Sequence, residues 1–250
     1  HIAVLSQSAH ALGDSMSRLG QTSIHSIGMR DVAFGYGEGA LVLDGVTTDI
    51  PMGKVLHITG PTGHGQSTFL KVLACLVEPT TGGILVNGTN VTEMSFEEFV
   101  PIRLEIGYTF EVGGLLSNKS LYENLALPHL YHNLLNAEDL EKRVHSVAKR
   151  FRFDAFLERR PAMVSSGLRK LVSTLRPMLV SPSVLVMDDP FAGLDPETAR
   201  ELKVLIEEMR GSGDLKTICL TSRDETWPGR LNAEPLWIES GKVTYRGKAA

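Results

Sequence analysis

Residues 60–68 read Gly-Pro-Thr-Gly-His-Gly-Gln-Ser-Thr and directly follow Val55 to Ile58, an apolar stretch typical of a buried strand. Glycines at this spacing let backbone N–H groups curl around phosphate oxygens, and a following helix points its positive end at them. The apolar residues after Ser67 recur at helical spacing, so the motif's strand, loop and helix are all predicted. The stretch predicts a phosphate-binding loop, against the alternative of a glycine-rich turn that binds nothing.

The loop departs from the pattern G-x-x-x-x-G-K-[ST] at one position. The residues that fit are Gly60, Gly65 and Ser67, with Gly63 between the two outer glycines, and Thr68, directly after the pattern, is a further candidate for binding the nucleotide. Gln66 stands where the pattern has the lysine that reaches the terminal phosphates. Glutamine can hydrogen-bond but carries no charge, and a lost charge-assisted bond of about 1.5 to 3 kcal/mol implies roughly 10- to 100-fold weaker phosphate binding.

Length, charge and cysteine content narrow the class of protein. A chain of 250 residues suits one large α/β domain, and a net charge of −4 provides no global basic field for nucleic acid. Cys75 and Cys219 lie far apart in apolar surroundings, which favours reduced, buried thiols over a disulfide or a metal site. No apolar run approaches the roughly 18 residues that a membrane-spanning helix needs, so we expect any membrane role to be peripheral.

The first 27 residues are rich in Ser, Gly and Gln and begin without methionine. We interpret residues 1–27 as an N-terminal extension or an artificial segment, and residues 28–250 as one domain. Residues 28–50 alternate as short antiparallel strands do, with Tyr36 in the turn between them. Tyr36 is either an aromatic that stacks on adenine or a half-exposed turn residue. An apolar stretch from Leu115 to Leu135, interrupted by Pro128, indicates a helical lobe over about residues 113–177.

The second half of the chain contains an acidic pair after a strand. Val184 to Met187 is a short apolar strand that runs directly into Asp188 and Asp189, which is where folds with a phosphate loop hold Mg²⁺. Upstream, Asn136 is a good N-cap for a helix that we expect to extend to about Glu158. Downstream, a helix is predicted over residues 196–211, followed by a strand over residues 218–220.

The order of these features resembles the nucleotide-binding subunit of ATP-binding-cassette (ABC) transporters from about Gly28 to Gly247. The matching segments are the loop at residues 60–67, Glu111 in Gly-Tyr-Thr-Phe-Glu, Val-Ser-Ser-Gly-Leu at 164–168, Met-Asp-Asp-Pro at 187–190, Gly-Leu-Asp at 193–195 and Arg223 after the last predicted strand. The wording around residues 111–118, 122–128 and 188–196 is similar to that of ATPases of Mce/Mla-type lipid transporters. The resemblance implies a P-loop NTPase fold of ABC type, with a mixed sheet, an antiparallel β subdomain and a helical lobe.

The resemblance also implies a site for ATP and Mg²⁺ between two subunits. In the family, the phosphate loop of one subunit faces the signature segment of the other, here residues 164–168. It assigns Mg²⁺ to Ser67, Asp188 and Glu111, and assigns Asp189 to the position that polarises the attacking water. Arg223 stands at the position that contacts the terminal phosphate.

The remaining assignments concern the dimer contacts and the base. By the same resemblance, Ser165 and Gly167 serve the partner's nucleotide, Asp195 preserves a loop contact between subunits, and Tyr36 takes the adenine-stacking position. Ser166 stands where the family has glycine, and its side chain obstructs close backbone approach to phosphate.

Four polar positions depart from the family pattern. Gln66 replaces lysine, Glu111 replaces glutamine, Asp189 replaces glutamate and Arg223 replaces histidine. Asp189 is one methylene short, and misplacement by about 1 Å can cost roughly 100-fold in rate. Arg223 is a candidate to restore the charge lost at Gln66. Together the changes indicate that efficient ATP hydrolysis is no longer required of this chain, although the fold is retained.

Several functions stay open at this stage. The first is a degenerate ATP-binding subunit that hydrolyses little and acts as a structural or regulatory part of a membrane transport complex, with lipid as the expected cargo. The second is a working ATPase that powers lipid or solute transport, and the third is the inert half of a heterodimer. A small-molecule phosphotransferase is disfavoured, because the segment at 164–168 has no role there. The expected partners are a membrane-embedded permease subunit, docked near Glu111, and a second ATP-binding subunit, at the cytoplasmic face of the inner or plasma membrane.

Overall fold

The computed structural model describes residues 23–37 and 39–246, and the interpretation of residues 1–22 lies outside them. The strands in this part of the chain are β1 (Ile27–Phe34), β2 (Leu43–Asp49), β3 (Val55–Thr59), β4 (Thr81–Val86), β5 (Thr89–Asn90), β6 (Ile106–Thr109), β7 (Val184–Met187), β8 (Thr217–Leu220), β9 (Glu234–Glu239) and β10 (Lys242–Tyr245). The helices are α1 (Gln66–Leu73), α2 (Phe96–Glu105), α3 (Leu121–His132), α4 (Ala137–Arg150), α5 (Ser166–Met178), α6 (Pro196–Gly211) and α7 (Thr226–Arg230).

The central sheet has six strands in the order β10-β9-β3-β8-β7-β6. All neighbours are parallel except β10, which pairs antiparallel with β9. The carboxyl ends of β3, β7 and β8 therefore meet at one edge, which is where open α/β sheets bind ligands. This edge carries the loop at 60–68 after β3 and the acidic pair after β7.

A second sheet has four strands in the order β2-β1-β4-β5, and each neighbouring pair is antiparallel. Tyr36 lies in the connection between β1 and β2, as the alternating sequence predicts. The mixed sheet and the antiparallel sheet confirm the predicted fold class.

Both faces of the six-stranded sheet are covered. Along β7, Val184 and Val186 enter a core shared with the four-stranded sheet and α1, whereas Leu185 and Met187 enter a core shared with α3 to α6. The side chains of a strand alternate between faces, so β7 must be apolar at every position to serve both cores. That double burial explains its uninterrupted apolar sequence.

Three long helices lie between β6 and β7 along the chain, in the stretch predicted as a helical lobe. Asn136 caps α4 by accepting a hydrogen bond from the backbone N–H of Asp139 (2.9 Å), as predicted. The helix ends at Arg150, so the expected extension to Glu158 is wrong. Arg152 adopts a left-handed conformation (φ 58°), and the turn that follows buries Phe153 and Leu157, which a continued helix would not allow.

The described residues just before residue 28 also pack against the fold. Ile24 and Ile27 are buried, and Ile27 opens β1. The side chain of Asn87 accepts hydrogen bonds from the backbone N–H groups of His25 and Ser26 (2.9 and 3.2 Å). These contacts attach the described N-terminal residues to the turn after β4.

Both cysteines are free thiols, and Cys219 is buried as the sequence predicts, whereas Cys75 is only partly buried. Burial raises the pKa of Cys75 to about 11 and that of Cys219 to about 12, so both stay protonated near neutral pH. Within residues 23–37 and 39–246, no helix has the length and apolar character needed to cross a membrane.

Candidate functional site

The loop at 60–68 connects β3 to α1 and depends on glycine at two close approaches. A Cβ on Gly60 would lie 1.9 Å from the carbonyl oxygen of Ile238, so no larger residue fits there. Gly65 has φ 97° and caps α1, and a Cβ there would lie 2.9 Å from a methyl group of Val42. Gly63 also has positive φ (83°) and faces open space. The loop thus has the backbone of a phosphate cradle.

Gln66 bends back onto its own loop. Its Nε2 donates a hydrogen bond to the carbonyl oxygen of Pro61 (2.8 Å). The side chain therefore braces the loop from within, at the position where the pattern has a lysine.

A hydroxyl pair surrounds the first acidic residue after β7. Asp188 is buried, and its Oδ1 accepts hydrogen bonds from Ser67 Oγ (3.0 Å) and Thr221 Oγ1 (2.7 Å). The structure thus brings together Ser67 and Asp188, as the sequence predicts. Thr221 was not predicted as a site residue. It follows β8, the neighbour of β7, so knowledge of the strand order is needed to place it beside Asp188.

Asp189 is buried in a strained backbone conformation. Its φ is 44°, and its backbone N–H donates to Thr221 Oγ1 (3.0 Å). Its Oδ2 is buried and has no hydrogen-bond partner among the described residues. An orphan carboxylate oxygen of this kind is costly unless another group binds it, which is typical of a functional position.

Glu111 and Arg223 form an ion pair across the site. The Nε of Arg223 also lies 3.9 Å from Asp189 Oδ2. Arg223 is 78% exposed at the side chain and Glu111 is 30% exposed, so this pair forms a lid at the solvent side of the acidic cluster. Three of the four residues interpreted as departures from the family pattern, Glu111, Asp189 and Arg223, therefore lie together.

Lys170, on α5, is a site residue that sequence reasoning missed. Its Nζ donates to the carbonyl oxygens of Phe110 (2.7 Å), Glu111 (3.0 Å) and Asp188 (3.1 Å). Burial lowers the pKa of Lys170 to about 8, against the opposing effect of the nearby carboxylates, of which Asp189 raises this pKa most. No local motif indicates such a residue, because its three acceptors come from distant segments.

Tyr36 lies beside the phosphate loop. Its ring is 54% exposed, packs edge-on against Phe34 (centroids 5.0 Å apart), and has Lys71 Nζ 5.9 Å from its centroid. Its hydroxyl lies 3.4 Å from Thr68 Oγ1, so the structure brings these two predicted residues together. An exposed aromatic face next to the loop is available for stacking.

Ser165, Gly167 and Asp195 form a second group. Ser165 caps α5 through the N–H of Leu168 (3.2 Å), and Asp195 caps α6 through the N–H groups of residues 197 and 198 (both 3.0 Å). A Cβ on Gly167 would lie 2.9 Å from the carbonyl oxygen of Gly193. Among the described residues, no hydrogen bond joins this group to the phosphate loop.

The site fits Mg²⁺ and a nucleotide on its own chemistry. Hydroxyl and carboxylate oxygens from Ser67, Asp188 and Glu111 are the hard ligands that Mg²⁺ prefers, and Mg²⁺ uses few protein ligands. The orphan Oδ2 of Asp189 and the open space at Gly63 leave room for an additional polar group.

Comparisons with known proteins agree with this geometry. A family model described as "ABC transporter" matches residues 43–192. The methionine import ATP-binding protein MetN of Rhizobium johnstonii is 30% identical over 220 residues, 88% of this chain and 60% of that protein. The phosphonates import ATP-binding protein PhnC 2 of Synechococcus sp. is 33% identical over 219 residues, 85% of this chain and 81% of that protein. This chain thus spans less than two thirds of the length of MetN.

Solved structures show the same fold. The dimeric structure of an ATP-binding cassette in a post-hydrolysis state, bound to ADP and Pi, aligns with a TM-score of 0.79 at 23% identity, over 90% of this chain and 99% of that chain. The ATP binding subunit of an ABC transporter aligns with a TM-score of 0.74 at 26% identity, over 87% of this chain and 88% of that chain. The chain therefore belongs to the ABC transporter family and has the fold of its ATP-binding cassettes.

Proposed function

We propose that this chain is a degenerate ATP-binding subunit of a membrane transport complex, one that binds ATP weakly and hydrolyses it little. The observation that supports this most directly is that three of the four altered side chains bond within the chain. Gln66 bonds to Pro61, and Arg223 pairs with Glu111. A nucleotide must break these contacts or do without the groups that make them.

The phosphate loop supports the weak-binding part of the proposal. Its backbone and the N-terminus of α1 still suit a phosphate, but Gln66 adds no charge to them. Arg223 is the cation that best compensates, yet its charge is already matched by Glu111. Recruiting Arg223 to a phosphate would leave Glu111 uncompensated beside further negative charge.

The low-hydrolysis part rests on Asp189 and its surroundings. In the proposed role this carboxylate would hold and orient the attacking water. It is one methylene shorter than the family's glutamate, and Arg223 lies 3.9 Å away. An ion pair with this guanidinium would compete with the attacking water for the Asp189 carboxylate.

The residues proposed to hold the ligands are those of the sequence prediction. Ser67, Asp188 and Glu111 would hold Mg²⁺, while Gly60, Gly63, Gly65, Gln66 and Thr68 would line the phosphates, and Tyr36 would stack on the base. When bound, Mg²⁺ neutralises phosphate charge. Thr221 would keep Asp188 oriented through its 2.7 Å hydrogen bond.

The partners belong to the proposal as well. We expect a membrane-embedded permease subunit and a second ATP-binding subunit, at the cytoplasmic face of the inner or plasma membrane, with lipid as the cargo. Ser165, Gly167 and Asp195 would face the second subunit, and the groove near Glu111 would receive the permease. The resemblance of residues 111–118 to Mce/Mla-type ATPases supports the lipid assignment, whereas the relatives above are named for methionine and phosphonates.

A working ATPase is the second candidate. The Ser67–Asp188–Thr221 hydrogen bonds are in place, and Asp189 Oδ2 accepts no hydrogen bond within the described chain. The inert half of a heterodimer is a third candidate, supported by Ser165 and Gly167 at the start of α5.

Steady-state ATP hydrolysis distinguishes the three. We expect almost no turnover by the purified chain, and none that Asp189→Asn removes. Turnover that Asp189→Asn abolishes would establish the working ATPase instead. Turnover that appears only on mixing with a second cassette, and that is indifferent to Asp189→Asn, would establish the heterodimer.

A further inference from the structure

Lys170 uses its ammonium group to join three backbone segments. An ammonium carries three N–H donors, and here each donor has one carbonyl acceptor: Phe110, Glu111 and Asp188, at 2.7, 3.0 and 3.1 Å. None of these acceptors belongs to α5, the helix that carries Lys170. The side chain therefore connects α5 to the loops that follow β6 and β7.

These three carbonyls lie just beyond the last backbone hydrogen bond between β6 and β7. Strands β6 and β7 pair through Thr109 and Met187, and the N–H of Asp188 still donates to the Thr109 carbonyl (3.0 Å). Beyond that bond the segments that follow β6 and β7 no longer pair with each other. Within the described residues, no backbone N–H donates to the three carbonyls, and Lys170 replaces the missing partners.

The position also matters electrostatically. Asp188, Asp189 and Glu111 all raise the pKa of Lys170, so each acts on the ammonium as a neighbouring negative charge. A half-buried cation that is hydrogen-bonded beneath three carboxylates offsets their mutual repulsion.

We propose that Lys170 is a positioning residue that fixes Glu111 and Asp188 relative to each other and to the start of α5. It touches neither carboxylate group directly in its hydrogen bonds; it sets where their backbones lie. The functional role of Lys170 rests on the proposed Mg²⁺ and ATP site, whereas its three hydrogen bonds to the backbone do not depend on that proposal. Ser165 caps the same helix, so Lys170 also links the side that would face a second subunit to the acidic cluster.

Hydrogen exchange on the ligand-free protein tests whether the hydrogen bonds of Lys170 hold these two segments in place. Lys170→Met keeps the length of the side chain and removes all three donors, so amides over residues 110–114 and 188–189 should exchange roughly ten-fold faster. Lys170→Arg, which keeps donors and charge, should recover most of the protection. Lys203→Met, which removes a surface lysine paired with Glu207 on α6, is the matched control and should leave these amides unchanged.

Two results would overturn the proposal. One is wild-type exchange at these amides in Lys170→Met, and the other is a uniform increase that includes the amides of β3 and β8. Lys170→Gln keeps two donors and should give a smaller rise at the same amides. If Lys170→Met does not fold, the exchange of the same amides in Lys170→Gln tests the proposal by the same criteria.

A binding experiment tests the consequence for the site. We expect Lys170→Met to weaken ATP binding only slightly without Mg²⁺, through the lost charge, and to reduce the Mg²⁺-dependent gain in affinity several-fold. Equal loss with and without Mg²⁺ would contradict a positioning role. If the wild-type chain binds no nucleotide, the proposed ATP site fails, and the exchange experiment still decides the role of Lys170.

Discussion

At the scale of single residues, Gln66 and Arg223, which the sequence analysis interprets as departures from the family pattern, both bond within the chain. Sequence reasoning placed Ser67 and Asp188 together, and the structure confirms that contact. It missed Thr221 and Lys170, because their contacts depend on which strand lies beside which and on how α5 packs. Neither the strand order nor the helix packing is encoded in a local motif.

The Glu111–Arg223 pair leads to the first prediction. Glu111→Gln removes the acidic partner and frees the guanidinium for phosphate, so we expect ATP to bind about two- to five-fold more tightly. The gain is small because exposed ion pairs contribute only about 0.2 to 1 kcal/mol. Calorimetry without Mg²⁺ measures it, because Glu111 is also a proposed Mg²⁺ ligand, and Glu97→Gln, an exposed residue of α2, is the control. Unchanged or weaker binding in Glu111→Gln would show that the pair does not restrain Arg223.

His129 provides a pH-dependent prediction. Its Nε2 donates to the Leu179 carbonyl (2.9 Å), its Nδ1 is buried without a partner, and burial lowers its pKa to about 4. The unfolded chain, with a pKa of about 6.5, then binds the proton more readily, so stability is complete above pH 6.5 and falls toward pH 4. The loss from this residue is about 3 kcal/mol.

Urea unfolding at pH values between 4.5 and 7 checks this. We expect His129→Gln to be less stable at pH 7 but to lose less of its free energy of unfolding as the pH falls. Parallel pH profiles for the two proteins would exclude His129 as the responsible group.

At the scale of elements, the predicted start and end of α6 are both confirmed, whereas only the start of α4 is. The caps at Asn136 and Asp195 depend on one side chain and the next turn, which the sequence shows directly. The end of α4 at Arg150 depends on how Phe153 and Leu157 enter the core, which only the tertiary structure shows. Pro128 does not break α3, which runs from Leu121 to His132.

The cap of α4 gives a prediction about stability. Asn136→Ala removes the acceptor for the Asp139 N–H and should reduce the free energy of unfolding by about 1 kcal/mol. Asn136→Ser should retain most of the stability, because serine also caps helices. Chemical denaturation measures both variants, and equal loss in both would argue against a capping role.

At the scale of the whole molecule, the sheet order explains how the site forms. Strands β3, β8 and β7 are neighbours in the sheet. The phosphate loop, Thr221 and the acidic pair therefore meet at one edge, although they lie far apart in the sequence. The fold class follows from this alternation of strands and helices, and it was predictable. The bonding of Gln66, Glu111 and Arg223 within the chain could not be predicted, because it depends on side-chain geometry across three separate segments.

The central claim is that this chain has the ATP-binding fold but has lost most of the charge needed for tight phosphate binding. Calorimetry of Mg²⁺ and ATP binding to the wild type and to Gln66→Lys tests it most directly. The account predicts roughly 10- to 100-fold tighter binding by Gln66→Lys, since the lysine restores a charge-assisted contact. Equal or weaker binding by Gln66→Lys would contradict it, and would show that Arg223 already supplies the missing charge.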